Sequence, residues 1–284
     1  MAETLRLLSP AKINLRLEIL RKREDGYHEL RTIFQKISLF DTLRFSLTQE
    51  KGILITADHP GLPVGRKNLV YLAIRSVLKR GSYRGGVRVE IRKRIPLGAG
   101  LGGGSSNAAA AMKALNLLLG MGLSRNELME MGVKIGADVP FFFLDGAAMG
   151  TGIGERLRRI ELPKLWFVLI YPNVEVSTRW TYQNFVLTKK RFRLNIHKLL
   201  KTPEGISCRL RNDLEGIVSS KYPQIEVMKR ILCSAGALGA LMTGSGPTVF
   251  GFFQNEEDAS KASGEVRNMV RPKGWTVLKA HSIP

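Results

Sequence analysis

Two cysteines in 284 residues, Cys208 and Cys233, give neither a disulfide framework nor a metal-binding spacing. The four histidines, His28, His59, His197 and His281, form no metal constellation by spacing either. No stretch approaches the ~18 consecutive apolar residues of a membrane-spanning helix. The opening "MAETLRLLSPAKINL" lacks the basic segment, apolar run and small-residue cleavage site of a secretory leader. Acidic residues are also scarce, 24 against 44 lysines and arginines, for a net charge of +20. These absences predict a soluble, cytoplasmic protein of a reducing compartment.

What remains is ordinary globular material, 44% hydrophobic and 7% aromatic, long enough for one large domain or two modest ones. The charge admits two readings. A phosphate-bearing partner would use it, whether nucleic acid or a small phosphorylated molecule. A solvated basic surface would show it too. The clusters at Arg21–Arg23, Arg92–Arg94, Arg156–Arg159 and Lys189–Arg191 are scattered, and no basic strand interleaves with stacking aromatics. That scatter favours a solvated surface, with a few charges recruited to a local phosphate site.

Alternation of apolar and polar residues marks the first half as strand-rich. "VRVEIRKR" sets Val87, Val89 and Ile91 against Arg88, Glu90 and Arg92, and Leu43–Thr48 with Ile53–Thr56 reads as a short pair joined through Gly52. A helix is predicted over Leu69–Arg80, capped by Asn68 and stopped by Gly81. A second runs over Ala108–Leu119, and a third starts at the capping box of Ser124 and Glu127. "GADVPFFF" then reads as a tight turn into a buried apolar segment, and Asp145–Gly154 as a glycine-rich loop ending the first domain. The second half offers a strand at Trp166–Pro172, a helix at Gln224–Ala235, "TGSGPTVFGFF", a helix from "NEEDAS" and a final strand "WTVLK". Lys189–Arg211 is poorly patterned. The order predicts α+β units.

The stretch "PLGAGLGGGSS", Pro96 to Ser106, runs straight into an alanine-rich helix. A lysine-bearing phosphate loop needs GxxxxGK[ST], and no lysine follows before Lys113. Gly98, Gly100 and Gly103 fit GxGxxG, yet the acidic ribose ligand due ~20 residues on is missing, because Glu127 is committed to a cap. A third reading fits: glycines let backbone N–H groups approach a triphosphate, and the helix dipole favours the anion. Ser105 and Ser106 would add hydroxyl donors or a metal ligand. A hinge or a close-packing device is the plainer alternative, but hinges rarely abut so strong a helix former. Gly244–Gly246 forms a second Gly/Ser loop, by itself as well explained by a turn. Asp138 reads either as a turn cap or as a carboxylate at a dry rim. Lys12 reads either as a strand-edge lysine or as half of a lysine–aspartate pair acting on a hydroxyl.

Taken in order, "PAKINL", "DGYHEL", "PLGAGLGGGSSNAA", "GADVPFFF" and "TGSGPTVF" resemble the GHMP kinase superfamily over nearly the whole chain. "AKINL" with "GYHEL" and "GADVPFF" resembles its branch acting on a cytidine-diphosphate-linked methylerythritol, in isoprenoid precursor synthesis. The resemblance implies a two-domain α+β fold. A ribosomal-S5-like half (1–154) and a ferredoxin-like half (155–284) would flank an active-site cleft. It implies ATP as co-substrate with Mg²⁺, and a small-molecule cytidine diphosphate substrate. No nucleic-acid or membrane partner is implied, and a monomer or weak homodimer is expected. Pro96, Leu97, Gly98, Ala99, Gly100, Leu101, Gly102, Gly103, Gly104, Ser105 and Ser106 would hold the ATP phosphates, with Asn68 and Lys93 near the adenine. Lys12 and Asp138 would be the catalytic pair. Asn14, Tyr27 and His28 would face the cytidine diphosphate, His28 on the cytosine edge and Tyr27 on the ring. Tyr182, where the branch would have phenylalanine, would close the other face, with Thr178 nearby. Gly244, Ser245 and Gly246 would flank the substrate diphosphate. Homoserine- or mevalonate-type kinases would share the loop but have no use for the Tyr27–His28 pair. A nucleic-acid binder would leave the loop unexplained.

Overall fold

The computed structural model describes residues 4–187 and 201–284, so most of the unpatterned basic stretch, with Lys189–Arg191, lies outside the described residues. The first elements are β1 (Thr4–Lys22), β2 (His28–Thr48), β3 (Gly52–Ala57), α1 (Leu69–Leu78), β4 (Gly86–Arg92), α2 (Gly103–Leu118) and α3 (Arg125–Val133). A 3₁₀ turn at Pro140–Phe143 precedes β5 (Ala147–Gly152), β6 (Arg156–Ile160), β7 (Trp166–Tyr171) and α4 (Thr178–Asn184). The chain ends with α5 (Pro203–Ser207), β8 (Arg211–Asn212), α6 (Glu215–Lys221), α7 (Gln224–Ser234), β9 (Gly239–Met242), β10 (Val249–Phe253), α8 (Glu256–Val270) and β11 (Thr276–His281). They form two compact units. One comprises Met1–Ala11, Leu39–Leu97 and Gly102–Leu144; the other comprises Lys12–Ser38, Gly98–Leu101 and Asp145–Pro284.

In the first unit the alternation of β4 is realised: Val87, Val89 and Ile91 are buried, while Arg88, Glu90 and Arg92 are exposed. The expected pairing of β2 with β3 is not. β4 lies between them, antiparallel to β2 and parallel to β3. The cause is α1, which gives the chain a crossover long enough to return parallel beside β3. Gly86 lets it enter that slot, since a Cβ there would stand 2.1 Å from the Glu50 carbonyl oxygen. α1 starts on its Asn68 cap, whose Oδ1 accepts from the Val70 N–H at 2.8 Å. Ala108, Ala111 and Ala114 of α2 are fully buried, short side chains that allow a close approach to α1. The capping box of α3 forms as predicted, and Pro140–Phe143 are all buried.

In the second unit β11, β7, β10 and β9 make an antiparallel sheet covered by α7 and α8. Val168, Ile170, Val249 and Phe253 of the sheet meet Ile225, Met228, Leu232, Val266 and Val270 of the helices. Asp145–Gly154 is not the loop its glycines suggest, because β5 pairs with Leu30–Gln35 of β2 and with β6. Tertiary pairing overrides the poor strand propensity of glycine here. The close fit requires it: a Cβ on Gly150 would lie 2.9 Å from Phe34 Cε2.

Candidate active site

Every residue from Ala11 to Ile19 in β1 is buried. Ala11, Ile13, Leu15 and Leu17 face one way, so the alternating Lys12, Asn14, Arg16 and Glu18 need polar partners on the other. Lys12, 4% exposed, is therefore no strand-edge lysine. Its Nζ donates to Asn14 Oδ1 at 2.7 Å and lies 5.6 Å from the Phe34 ring centroid. Asn14 Nδ2 donates to Thr32 Oγ1 at 2.7 Å, and the Asn14 N–H donates to Thr243 Oγ1 at 2.9 Å. Further along, Glu18 accepts from Arg16 at 2.6 Å and Arg31 at 2.7 Å. Burial alone would raise the Glu18 carboxyl, but those hydrogen bonds and charges outweigh it and hold it below its ordinary value.

The two Gly/Ser loops meet in this same unit. A Cβ on Gly246 would lie 2.2 Å from the Gly100 nitrogen, and one on Gly100 2.5 Å from the Thr243 carbonyl oxygen. A Cβ on Gly244 would be 3.3 Å from Lys12 Nζ, so the second loop ends against the buried ammonium. The Lys12 N–H donates to the Leu101 carbonyl at 2.9 Å. Thr178 and Ser245 share a hydroxyl–hydroxyl bond of 2.7 Å. Asn212, directly after the unpatterned stretch, donates to the carbonyls of Met242 and Gly244 at 2.7 and 2.8 Å. Sequence reasoning missed it, because only the register of β8 beside β1 places it there.

Gly26, at φ +83°, turns the chain before Tyr27 and His28. Tyr27 is 59% exposed, while His28 is half-buried. The His28 ring lies 5.5 Å from Tyr182, and Phe185 presents an edge to it at 6.3 Å and 87°. Phe185 went unnoticed in the sequence; the signal was an aromatic three places after Tyr182. Burial, helped by the Lys22 charge, pushes the His28 imidazole below the ordinary 6.5.

In the first unit, the glycine stretch enters α2 through Gly102, at φ +70° with no side-chain cap. Gly98 and Gly100 are also left-handed, at +62° and +77°. The first turn, Gly103–Ser106, carries no acidic residue of its own to offset its N–H groups and dipole end. Ser106 is 1% exposed and accepts from Ser9 Oγ at 2.7 Å. Asp138, half-buried, follows Ala137 in a turn closed by a bond of 3.0 Å from the Val139 N–H to the Gly136 carbonyl. A Cβ on Gly136 would lie 3.8 Å from Ser105 Oγ, so this turn packs beside the start of α2. Lys93 is buried and ion-paired with Asp41. Asn68 is engaged at both ends of its amide, as the α1 cap and as donor to the Pro63 carbonyl at 2.5 Å.

Residues 68–146 match the GHMP kinases N terminal domain, and residues 192–271 the GHMP kinases C terminal domain. A protein of Syntrophus aciditrophicus named 4-diphosphocytidyl-2-C-methyl-D-erythritol kinase is 46% identical over 98% of this chain and 99% of its own length. A solved 4-(cytidine 5'-diphospho)-2C-methyl-D-erythritol kinase superposes with a TM-score of 0.84 at 33% identity, over 99% of this chain and all of that one. The homoserine kinase from Cytophaga hutchinsonii, at 22% identity and a TM-score of 0.77 over 99% of this chain and 95% of its own, shares the fold.

Proposed function

Since the chain belongs to the GHMP kinases, and among them to the 4-diphosphocytidyl-2-C-methyl-D-erythritol kinase family, we propose that it phosphorylates that cytidyl substrate with ATP. The activity is that of an ATP-dependent small-molecule kinase in the methylerythritol phosphate route to isoprenoid precursors. One observation carries the assignment of residues: two Gly/Ser loops touch backbone to backbone beside the buried ammonium of Lys12. Backbone donors and a desolvated cation are what a transferring phosphoryl group requires, because little covalent chemistry is left for the protein to do.

In this reading the Asp138 carboxylate accepts the proton of the substrate 2-hydroxyl as its oxygen attacks the γ-phosphorus. The bond to the β-phosphate oxygen breaks and ADP leaves, while Lys12 offsets charge on the transferring group. Pro96–Ser106 bind the ATP phosphates, with Asn68 and Lys93 by the nucleotide. Asn14, Tyr27, His28, Thr178 and Tyr182 hold the cytidyl moiety, and Gly244–Gly246 its diphosphate. We place the boundary of the two family domains near residue 154, and the working form as a monomer or weak homodimer in the cytoplasm. Among the described residues no three His, Cys, Asp or Glu side chains gather as a metal site, and Ser106 is buried against Ser9. Mg²⁺ would accompany the nucleotide and supply neutralisation of phosphate charge, and the Ser106 hydroxyl is the protein group that would hold it.

The test is phosphorus NMR of the protein with ATP, Mg²⁺ and the cytidyl substrate, with homoserine and mevalonate in parallel. A new phosphomonoester from the cytidyl substrate alone is expected. Asp138→Asn should lower kcat by roughly 10²-fold or more with the fold retained. Turnover of homoserine or mevalonate instead would overturn the roles of Tyr27 and His28.

A further inference from the structure

Asp41 is the most deeply buried carboxylate that the reaction as described leaves unused, at 0% exposure in β2. Burying a charge this completely is costly unless every lone pair has a partner. Three are present, and all come from one short segment. The Lys93 ammonium pairs with Oδ2, while Oδ1 accepts from the backbone N–H groups of Arg94 at 2.8 Å and Ile95 at 2.9 Å. The Lys93 N–H donates in turn to Asp58 Oδ1 at 2.8 Å. Residues 93–95 are thus held from both sides immediately before Pro96, where the phosphate loop begins. The same segment meets the far end of that loop, since a Cβ on Gly103 would lie 3.2 Å from Lys93 Nζ and 3.0 Å from Ile95 Cγ2. Gly103 is the first residue of α2, and a side chain there would press on that ammonium and on Ile95.

We infer that Asp41 is a positioning residue for ATP. It holds Lys93 and Ile95 against Gly103 and so fixes where the first-turn N–H groups of α2 point. The pair is electrically balanced within itself, so Lys93 acts on the nucleotide through the placement of Gly103 rather than as a phosphate-binding cation. Backbone donors bind an anion well only within a narrow range of distance and angle, and a misplacement of ~1 Å can cost ~10²-fold. This inference rests on the reading of Pro96–Ser106 as the ATP loop.

Asp41→Asn, Lys93→Met and the double variant are compared by calorimetry with a non-hydrolysable ATP analogue, alongside KM for each substrate, kcat and melting temperature. Each single variant should weaken the analogue by about tenfold or more, with KM for the cytidyl substrate within about twofold of wild type. The double variant should be no weaker than the worse single, because both changes break one device. A lower melting temperature with unchanged ATP affinity would mean the pair is only structural, and would overturn the inference. So would losses that multiply in the double variant, which would make Lys93 an independent ligand. If Asp41→Asn does not fold, Lys93→Met carries the test, since Asp41 then keeps its two backbone donors; unchanged affinity again overturns it. A wild type that fails to bind the analogue overturns the ATP-loop reading itself, a distinct result from variants that match a binding wild type.

Discussion

Burial and the nearby Lys22 charge hold the His28 imidazole below 6.5, so at neutral pH it is an uncharged ring with one donor and one acceptor nitrogen. That is the form able to pair with the edge of a cytosine. A histidine whose folded value is depressed binds fewer protons folded than unfolded, so it is destabilising to protonate. Its contribution is complete above 6.5 and is lost as pH falls below that, toward its lower folded value. KM for the cytidyl substrate should therefore rise as pH drops below 6.5, while KM for ATP stays flat over the same range. Steady-state kinetics on wild type and His28→Gln would check this. A wild-type profile as flat as that of the variant would exclude a neutral His28 from substrate binding. The aromatic edge of Phe185 and the ring of Tyr182 would keep the imidazole in place as the base binds.

The start of α2 differs from the starts of the other helices in a way that matters at the scale of the element. α3 closes its N-terminus with a Ser124–Glu127 capping box, and α8 follows its Asn255 cap with Glu256, Glu257 and Asp258. α2 has a left-handed glycine as its cap and no acidic residue in its first turn. In the proposed reading its dipole end serves the nucleotide phosphates, at some cost to the helix in isolation. Gly104→Asp tests this, since Gly104 is exposed and a Cβ there meets only Leu69 Cδ1 at 3.6 Å. The aspartate should stabilise α2 by about 1 kcal/mol, through helix propensity and the dipole. The same charge should repel the nucleotide phosphates and weaken ATP binding by roughly 10²-fold. Thermal melts with and without ATP separate the two effects. A variant no more stable than wild type, or one that binds ATP as well, contradicts the reading.

At the scale of the whole molecule, the net charge of +20 meets two highly anionic small molecules. Such a field steers encounter more than it strengthens the bound state. Raising salt from about 0.05 to about 0.5 M shortens the screening length, and kcat/KM for the cytidyl substrate should fall by roughly three- to tenfold while kcat changes little. Stopped-flow or initial-rate kinetics would show it. Duplex DNA added at about 0.15 M salt should not inhibit; strong, salt-sensitive inhibition would instead make nucleic acid a partner worth pursuing.

Short-range features were legible in the chain alone, because their causes lie within a few residues. Asn68 and Ser124 mark their helices by side chains that reach backbone two or three residues away, and Val87–Ile91 shows its buried face by alternation. The glycine stretch before α2 could be read as an anion loop for the same reason: cradle and helix are contiguous. What the chain could not show depends on partners distant in sequence. Ala147–Gly152 is a strand only because β2 and β6 supply its hydrogen bonds, and β4 lies between β2 and β3 only because α1 carries it there. Lys12 looked like an edge residue until the strands on both sides and the loop at Gly244 closed over it. Asn212 and Asp41 carry no local pattern at all, and Phe185 only an aromatic spacing from Tyr182. Each gains its part when register, or a buried charge's need for partners, brings together residues tens to hundreds of positions apart.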